Sequence, residues 1–150
     1  MPGWRPRVTV VLLLSVTGTA ICLAQEQKPA DIQVWAIRAT TKNKEISKEL
    51  RQIADELKKS FKFTGFKLED KSTGSAAIGK AYSVDLPGGY QAKITPESRD
   101  GKKVKLKVEV TKGRKRVSSV TYTVEAGKFQ LLGGWPLDGG DSLILAVSAK

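Results

Sequence analysis

Apolar residues recur along this chain with two periods, and the places where the period changes mark the predicted elements. From Ile32 to Thr40 the chain reads as a strand, with Ile32, Val34 and Ala36 on one face and Trp35, Ile37 and Ala39 on the other. Apolar residues on both faces predict a strand covered on both sides. The period then lengthens. Ile46, Leu50, Ile53, Leu57 and Phe61 recur at spacings of four, three, four and four, which at 100° per residue is one helical stripe. A helix is expected from about Lys44 to Ser60, with Asn43 as N-cap, Glu45 in the first turn and Lys58-Lys59 in the last, in agreement with the helix dipole. Its stripe reads as core rather than as a ligand groove.

After the helix the period falls to two. Phe63 to Glu69 reads as a strand and residues 70–75, Asp-Lys-Ser-Thr-Gly-Ser, as a turn. Ile78, Tyr82, Val84 and Leu86 fit a strand that stops at Pro87-Gly88-Gly89, and Tyr90, Ala92 and Ile94 fit the next. Asp100-Gly101 is a hairpin signal. Val104, Leu106, Val108 and Val110 alternate with Lys103, Lys105, Lys107 and Glu109, the cleanest amphipathic strand in the chain. A basic turn surrounds Gly113. Val120, Tyr122 and Val124 follow with period two, then a turn at Ala126-Gly127, the segment from Phe129 to Leu132, and a loop over residues 133–140. Leu143 to Ser148 is a last apolar strand, expected to be central or paired with Ile32–Thr40. Short strands joined by close turns predict one α+β domain over residues 32–150. In it one amphipathic helix packs on a curved, mainly antiparallel sheet or small sandwich of about seven to eight strands.

The N-terminus follows a different grammar. Arg5 and Arg7 precede an uncharged run from Val8 to Leu23, and the polar stretch Gln25-Glu26-Gln27-Lys28-Pro29 comes after it. This is the order of a secretory signal peptide over residues 1–24, cut after Ala24, with a flexible leader over 25–31. The run is shorter than the ~20 residues a spanning helix needs, so no membrane span is expected once the signal is removed. An uncleaved anchor is an alternative reading. A lipoprotein modified at Cys22 is a third, against which the bulky Ile21 counts. The expected location is periplasmic or extracellular.

Cleavage sharpens what composition allows. The chain has one Cys, one Met and no His. Removal of residues 1–24 would leave none of the three, which closes Ser–His and Cys–His nucleophilic chemistry and zinc sites built from Cys and His. No cofactor is expected. Of the 26 basic residues Arg5 and Arg7 would leave, while all 15 acidic ones stay, so a net charge of +11 becomes +9. That excess favours anionic partners.

Three local patterns bear on chemistry. Gly74 to Lys80 has the spacing of a phosphate-binding loop, but Ala81 stands where Ser or Thr is needed and a strand follows instead of a helix. Asp138-Gly139-Gly140-Asp141-Ser142 offers too few oxygens for calcium. Glu69, Asp70, Asp85, Glu97, Glu109 and Glu125 are scattered and form no evident catalytic pair. The strongest positive feature is basic. Lys102, Lys103, Lys105 and Lys107 flank one hairpin and Lys112, Arg114, Lys115 and Arg116 the next. Lys103, Lys105 and Lys107 share a strand face and would form an anion-binding stripe. No exposed aromatics accompany them, so specific nucleic-acid recognition is not expected. A solvated lysine face that protects a sheet edge is the simpler reading.

From Tyr90 onward the chain resembles the β-rich core segment of bacterial secretins. The shared residues are Ile94-Thr95-Pro96, Gly101, Val104-Leu106-Val108, Thr121-Tyr122-Thr123-Val124, Gly127 and Leu131-Leu132-Gly133-Gly134. The whole mature chain is similar to small exported bacterial proteins of uncharacterised activity. The resemblance implies an envelope location. The expected function is a non-catalytic exported module that binds or assembles with an envelope protein. The alternatives are a polyanion-binding protein that uses the basic hairpins and a small carboxylate-dependent hydrolase.

Overall fold

In the computed structural model, which describes residues 28–150, the two-sided strand opens the fold as β1 (Ala30–Thr40). The expected signal peptide and the first residues of the expected leader lie outside the described residues. Ile32, Val34 and Ala36 face a core between two sheets, while Trp35, Ile37 and Ala39 face a second core under the helix. Both faces are covered, as the apolar pattern requires. The strand begins at Ala30, where Asp31 exchanges backbone hydrogen bonds with Lys150.

The remaining strands are β2 (Gly65–Ala76), β3 (Tyr82–Asp85), β4 (Tyr90–Asp100), β5 (Lys103–Lys112), β6 (Lys115–Glu125), β7 (Phe129–Pro136) and β8 (Ser142–Ala149). They form two four-stranded antiparallel sheets, β2-β1-β8-β7 and β3-β4-β5-β6. The fold is therefore a sandwich-like, mostly antiparallel structure with one helix. The apolar strand at the end of the sequence, β8, lies between β1 and β7, with Leu145 opposite Ala36 and Ile144 opposite Ile37. Leu143, Leu145 and Val147 join the core between the sheets; Ile144 and Ala146 join the core under the helix. Val104, Leu106, Val108 and Val110 of β5 supply the other wall of the first core, all buried.

The helix is shorter than its stripe predicts. A 3-10 turn over Lys48–Ile53 leads into α1 (Ala54–Ser60), and residues 44–47 are not helical. The Asn43 side chain accepts a hydrogen bond from the Glu45 N–H at 3.1 Å and so makes a turn before the helix rather than capping it. The backbone of Glu45 and Ser47 then bonds to Phe66 on β2, and the Ser47 hydroxyl accepts the Leu68 N–H at 3.0 Å. Those groups are already committed to the sheet and cannot start a helix. The stripe itself is core: Leu50, Ile53 and Leu57 are buried, and Ile46 and Phe61 pack at its margin. Full burial of Leu50 and Leu57 contributes roughly 1.5–3 kcal/mol each. Trp35 meets Phe129 in this core at a ring separation of 4.5 Å.

Two turn expectations are corrected. Residues 70–75 continue β2 as far as Ala76, because β1 offers them a full run of partners from Asp70 opposite Ala36 to Ala76 opposite Ala30. The break in register is a bulge at Glu69, between Leu68 and Asp70. Residues 133–136 are likewise strand, since β7 runs through to Pro136 along β8 with a bulge between Gly133 and Trp135. Gly133 has φ +127°, and a Cβ there would lie 2.5 Å from the Leu143 carbonyl oxygen. Only glycine lets β7 pass so close to its neighbour. Ile78 lies in the turn between β2 and β3, so Gly74 to Lys80 runs from strand to turn with no helix to receive a phosphate.

Candidate functional site

The alternation that makes β5 amphipathic places Lys103, Lys105 and Lys107 on the outer face of the second sheet, as expected. Register adds what spacing cannot. Lys103 lies between Asp100 on β4 and Glu125 on β6, and Lys93 stands opposite Glu109. The Lys105 ammonium lies 3.8 Å from Glu97 and that of Lys107 3.1 Å from Glu109. Lys107 first, then Arg116 and Lys93, holds the Glu109 carboxyl below its usual range. The stripe is thus interleaved with acids. Lys102 sits in the turn at one end of β5, while Lys112, Arg114 and Lys115 gather at the turn around Gly113, about 30 Å away along the strand. Lys112 and Lys115 are directly opposite each other, and the Lys112 ammonium lies 5.0 Å above the Tyr90 ring. Of the eight cations, Lys103, Lys105 and Lys107 thus lie on a charge-balanced face, Lys112, Arg114 and Lys115 form one compact basic turn, Arg116 stands opposite Thr111, and Lys102 is in the turn at the far end of β5.

A different surface stands out at the strand next to them. Among the described residues β6 pairs with β5 and with no other strand, so its far side presents unpaired backbone groups. The described residues have four such edges, and the other three are blunted. β3 is four residues long. β2 carries the Glu69 bulge and the charged pair Asp70-Lys71, and Glu45–Ser47 covers its start. β7 carries Gly133, Gly134, a bulge and Pro136. β6 is eleven residues long, and Val117–Val124 has no charge, glycine or proline. Its one irregularity falls between Val110 and Thr111 of β5, at Val117. Val120 points toward the core between the sheets but is 37% exposed, the one exposed large apolar side chain among the described residues. Val117, Tyr122, Leu132 and Trp135 pack against the same core, partly buried. The Tyr122 hydroxyl is buried without a hydrogen-bond partner, and burial pushes its pKa up.

The carboxylates gather elsewhere. Beyond the point where the second sheet stops covering the first, the inner face of β1 turns polar at Arg38 and Thr40. The Arg38 Nε donates to Glu69 at 2.9 Å and Nη1 to Asp141 at 3.3 Å, while the Lys42 ammonium lies 4.0 Å from Asp141. Arg38, Lys42 and Asp141 border a groove of about 610 Å³ that Lys67 and Glu45 also line. The neighbouring Thr40 hydroxyl, with Arg38 and Lys42, holds the Asp141 carboxyl below its usual range. A carboxylate kept ionised in this way is a poor proton donor, and the cluster acts as an ionic clamp within the first sheet, tying β2 and the turn before β8 to β1. Asp141 is turned toward two cations, which is the opposite of a calcium environment. No group of three or more acidic, Cys or His residues comes together among the described residues, and none of their helices is long and apolar enough to cross a membrane.

The sequence pattern anticipated the shared face of the three lysines and Glu109, but not Glu97, Asp100 or Glu125, because those acids come from neighbouring strands. It also passed over β6 as a surface. The available signal was eight uncharged, β-prone residues bracketed by Lys115-Arg116 and Glu125. No family model, curated protein or solved structure matches the chain.

Proposed function

We infer that this protein is a non-catalytic, exported binding or assembly module of the cell envelope, which engages another polypeptide by strand addition along β6. The observation that carries this reading is the contrast among the four sheet edges of the described residues: three are blunted, and β6 is long, regularly paired from Ser118 onward, uncharged in its middle and carries the exposed Val120. Strand addition supplies affinity through the backbone and specificity through alternate side chains. Here an added strand would place every second residue over Val120 and Tyr122. The N-terminal signal pattern supports the location.

The test is a photo-reactive amino acid at position 120 in the full-length protein, expressed in an exporting cell. A crosslinked species heavier than the chain is expected from position 120 and not from Ser83 on β3. A protein that remains uncrosslinked at position 120 would sink the reading.

A second reading rests on the turn around Gly113, where Lys112, Arg114 and Lys115 meet with no acid across from them in the strand register. It makes this turn a contact for a polyanion. Replacement of all three by Gln should then abolish salt-sensitive retention on heparin, while Lys103, Lys105 and Lys107, already beside acids, should contribute little.

A further inference from the structure

We propose that the groove beside the ionic clamp binds a hydroxylated monocarboxylate, the chemistry of a sugar acid, whether free or as one residue of an acidic polysaccharide. The inference does not depend on β6, which belongs to the other sheet. At about 610 Å³ the groove is about twice the size of the hollow beside Phe129, about 290 Å³, and it falls in the range of small-molecule sites. It lies across one end of the first sheet. Asp141 stands just before β8, Arg38 and Thr40 come from β1, Lys67 comes from β2, and residues 45–47 run along the outer side of β2. Four backbone rows at strand spacing span about 14 Å. The outermost row is anchored before any ligand arrives. The backbone of Glu45 and Ser47 is bonded to Phe66, and the Thr64 hydroxyl donates to the Asn43 carbonyl. Gly65 lets the Asn43 side chain lie against the sheet, since a Cβ there would collide with it. A preformed wall lowers the cost of binding.

The charges select the ligand. Arg38 and Lys67 are directly opposite each other in the register of β1 and β2, so their side chains point to the same side. Like charges in that position are unfavourable unless an anion joins them. Arg38 has anions of its own in Glu69 and Asp141, and Lys42 leans on Asp141. Lys67 is exposed and has no acid within ion-pair distance among the described residues. The two pairs of Arg38 use Nε and Nη1, which leaves the Nη2 donors for a further acceptor. One carboxylate shared by Arg38 and Lys67 meets both needs through charge-assisted hydrogen bonds. The lining as a whole holds the cations Arg38, Lys42 and Lys67 and the acids Glu45 and Asp141, an excess of one positive charge that a single carboxylate balances. A dianion is disfavoured, because Glu45 and Asp141 flank the two cations in the middle of the groove. A carboxylate flanked by hydroxyls suits it better, since Glu45 accepts from a hydroxyl and the Asn43 amide donates to one.

Calorimetric titration of the purified protein with D-galacturonate should give a Kd of about 1 mM or tighter. D-galactose, which lacks the carboxylate, and inorganic phosphate, which lacks the hydroxyl pattern, should each bind at least about tenfold more weakly. Lys67 is exposed, so its substitution leaves folding intact. Lys67→Gln should weaken galacturonate at least about tenfold with an unchanged far-UV spectrum, Lys67→Arg should retain binding, and Lys105→Gln on the other sheet should change nothing. Trigalacturonate separates the two sources, and either outcome supports the site. Affinity at least about tenfold above that of the monomer identifies a residue within a polysaccharide, and equal affinity identifies the free acid. The proposal is overturned by an absence of binding to galacturonate and trigalacturonate up to about 20 mM, by phosphate binding as tightly as galacturonate, or by binding indifferent to Lys67→Gln.

Discussion

The sheet β2-β1-β8-β7 and the sheet β3-β4-β5-β6 each contain four antiparallel strands and share one core, yet they are covered differently. The first is sandwiched: its central strands β1 and β8 are apolar on both faces, with the second sheet on one side and the helix on the other. The second is half-covered: β5 is valine and leucine inside, and lysine and glutamate outside. Stability should therefore concentrate in the first sheet and strand recognition in the second. A strand committed on both faces has no side chain left for a partner, whereas β6 has a free edge and a partly open inner face.

The sharpest way to break this comparison is to remove a side chain from the doubly covered strand. Leu145→Ala and Ile144→Ala empty opposite faces of β8, and each should cost about 2–5 kcal/mol in urea unfolding. If either costs less than a surface change, the first sheet is not the stable half. Next comes the backbone that lets β7 follow β8. Gly133→Ala forces a Cβ toward the Leu143 carbonyl from a positive φ and should cost about 1–3 kcal/mol, read as a lower melting temperature.

A smaller effect is expected at the clamp, where the inner face of the first sheet emerges from its cover. The folded Asp141 carboxyl titrates below its ordinary range, so its contribution is present above the unfolded value and is lost as the pH falls through the folded one. Asp141→Asn should lower the melting temperature at pH 7, and the difference from the parent should shrink as the pH is taken below the ordinary aspartate range. A constant difference would show that its charge is irrelevant. The smallest change belongs to the outer face of the second sheet. Lys105→Gln should alter stability by no more than about 0.5 kcal/mol, because its ion pair with Glu97 is open to water.

Features that depend on one segment were legible in the sequence, while those that depend on a neighbour were not. The two-sided pattern of Ile32–Thr40 and of Leu143–Ser148 announced central strands, and the stripe from Ile46 to Phe61 announced a buried helix face. Residues 70–75 misled because Asp, Ser, Thr and Gly favour turns locally, while β1 had a row of backbone partners waiting for them. Residues 44–47 misled in the same way, since their amphipathic spacing was overridden by pairing with Phe66. For the candidate site the divide is similar. That Lys103, Lys105 and Lys107 share a face follows from alternation alone. That Glu109 joins them follows from the same alternation, whereas Glu125 beside Lys103 follows only from register and Glu97 beside Lys105 only from the folded contact at the β4 bulge. The Arg38–Asp141 contact joins residues more than a hundred positions apart, and no local pattern points to it.

That same separation governs how the chain is made. β8 is the hydrogen-bonded centre of its sheet, and its partner β1 is synthesised over a hundred residues earlier. Until residues 142–149 leave the ribosome, β1 lacks one of its two neighbours and both cores lack a wall. Closing so long a loop is slow. For the exported chain proposed above, this delay acts as a timer: the polypeptide stays threadable while an export machinery engages its front end, and it locks only when its last strand arrives.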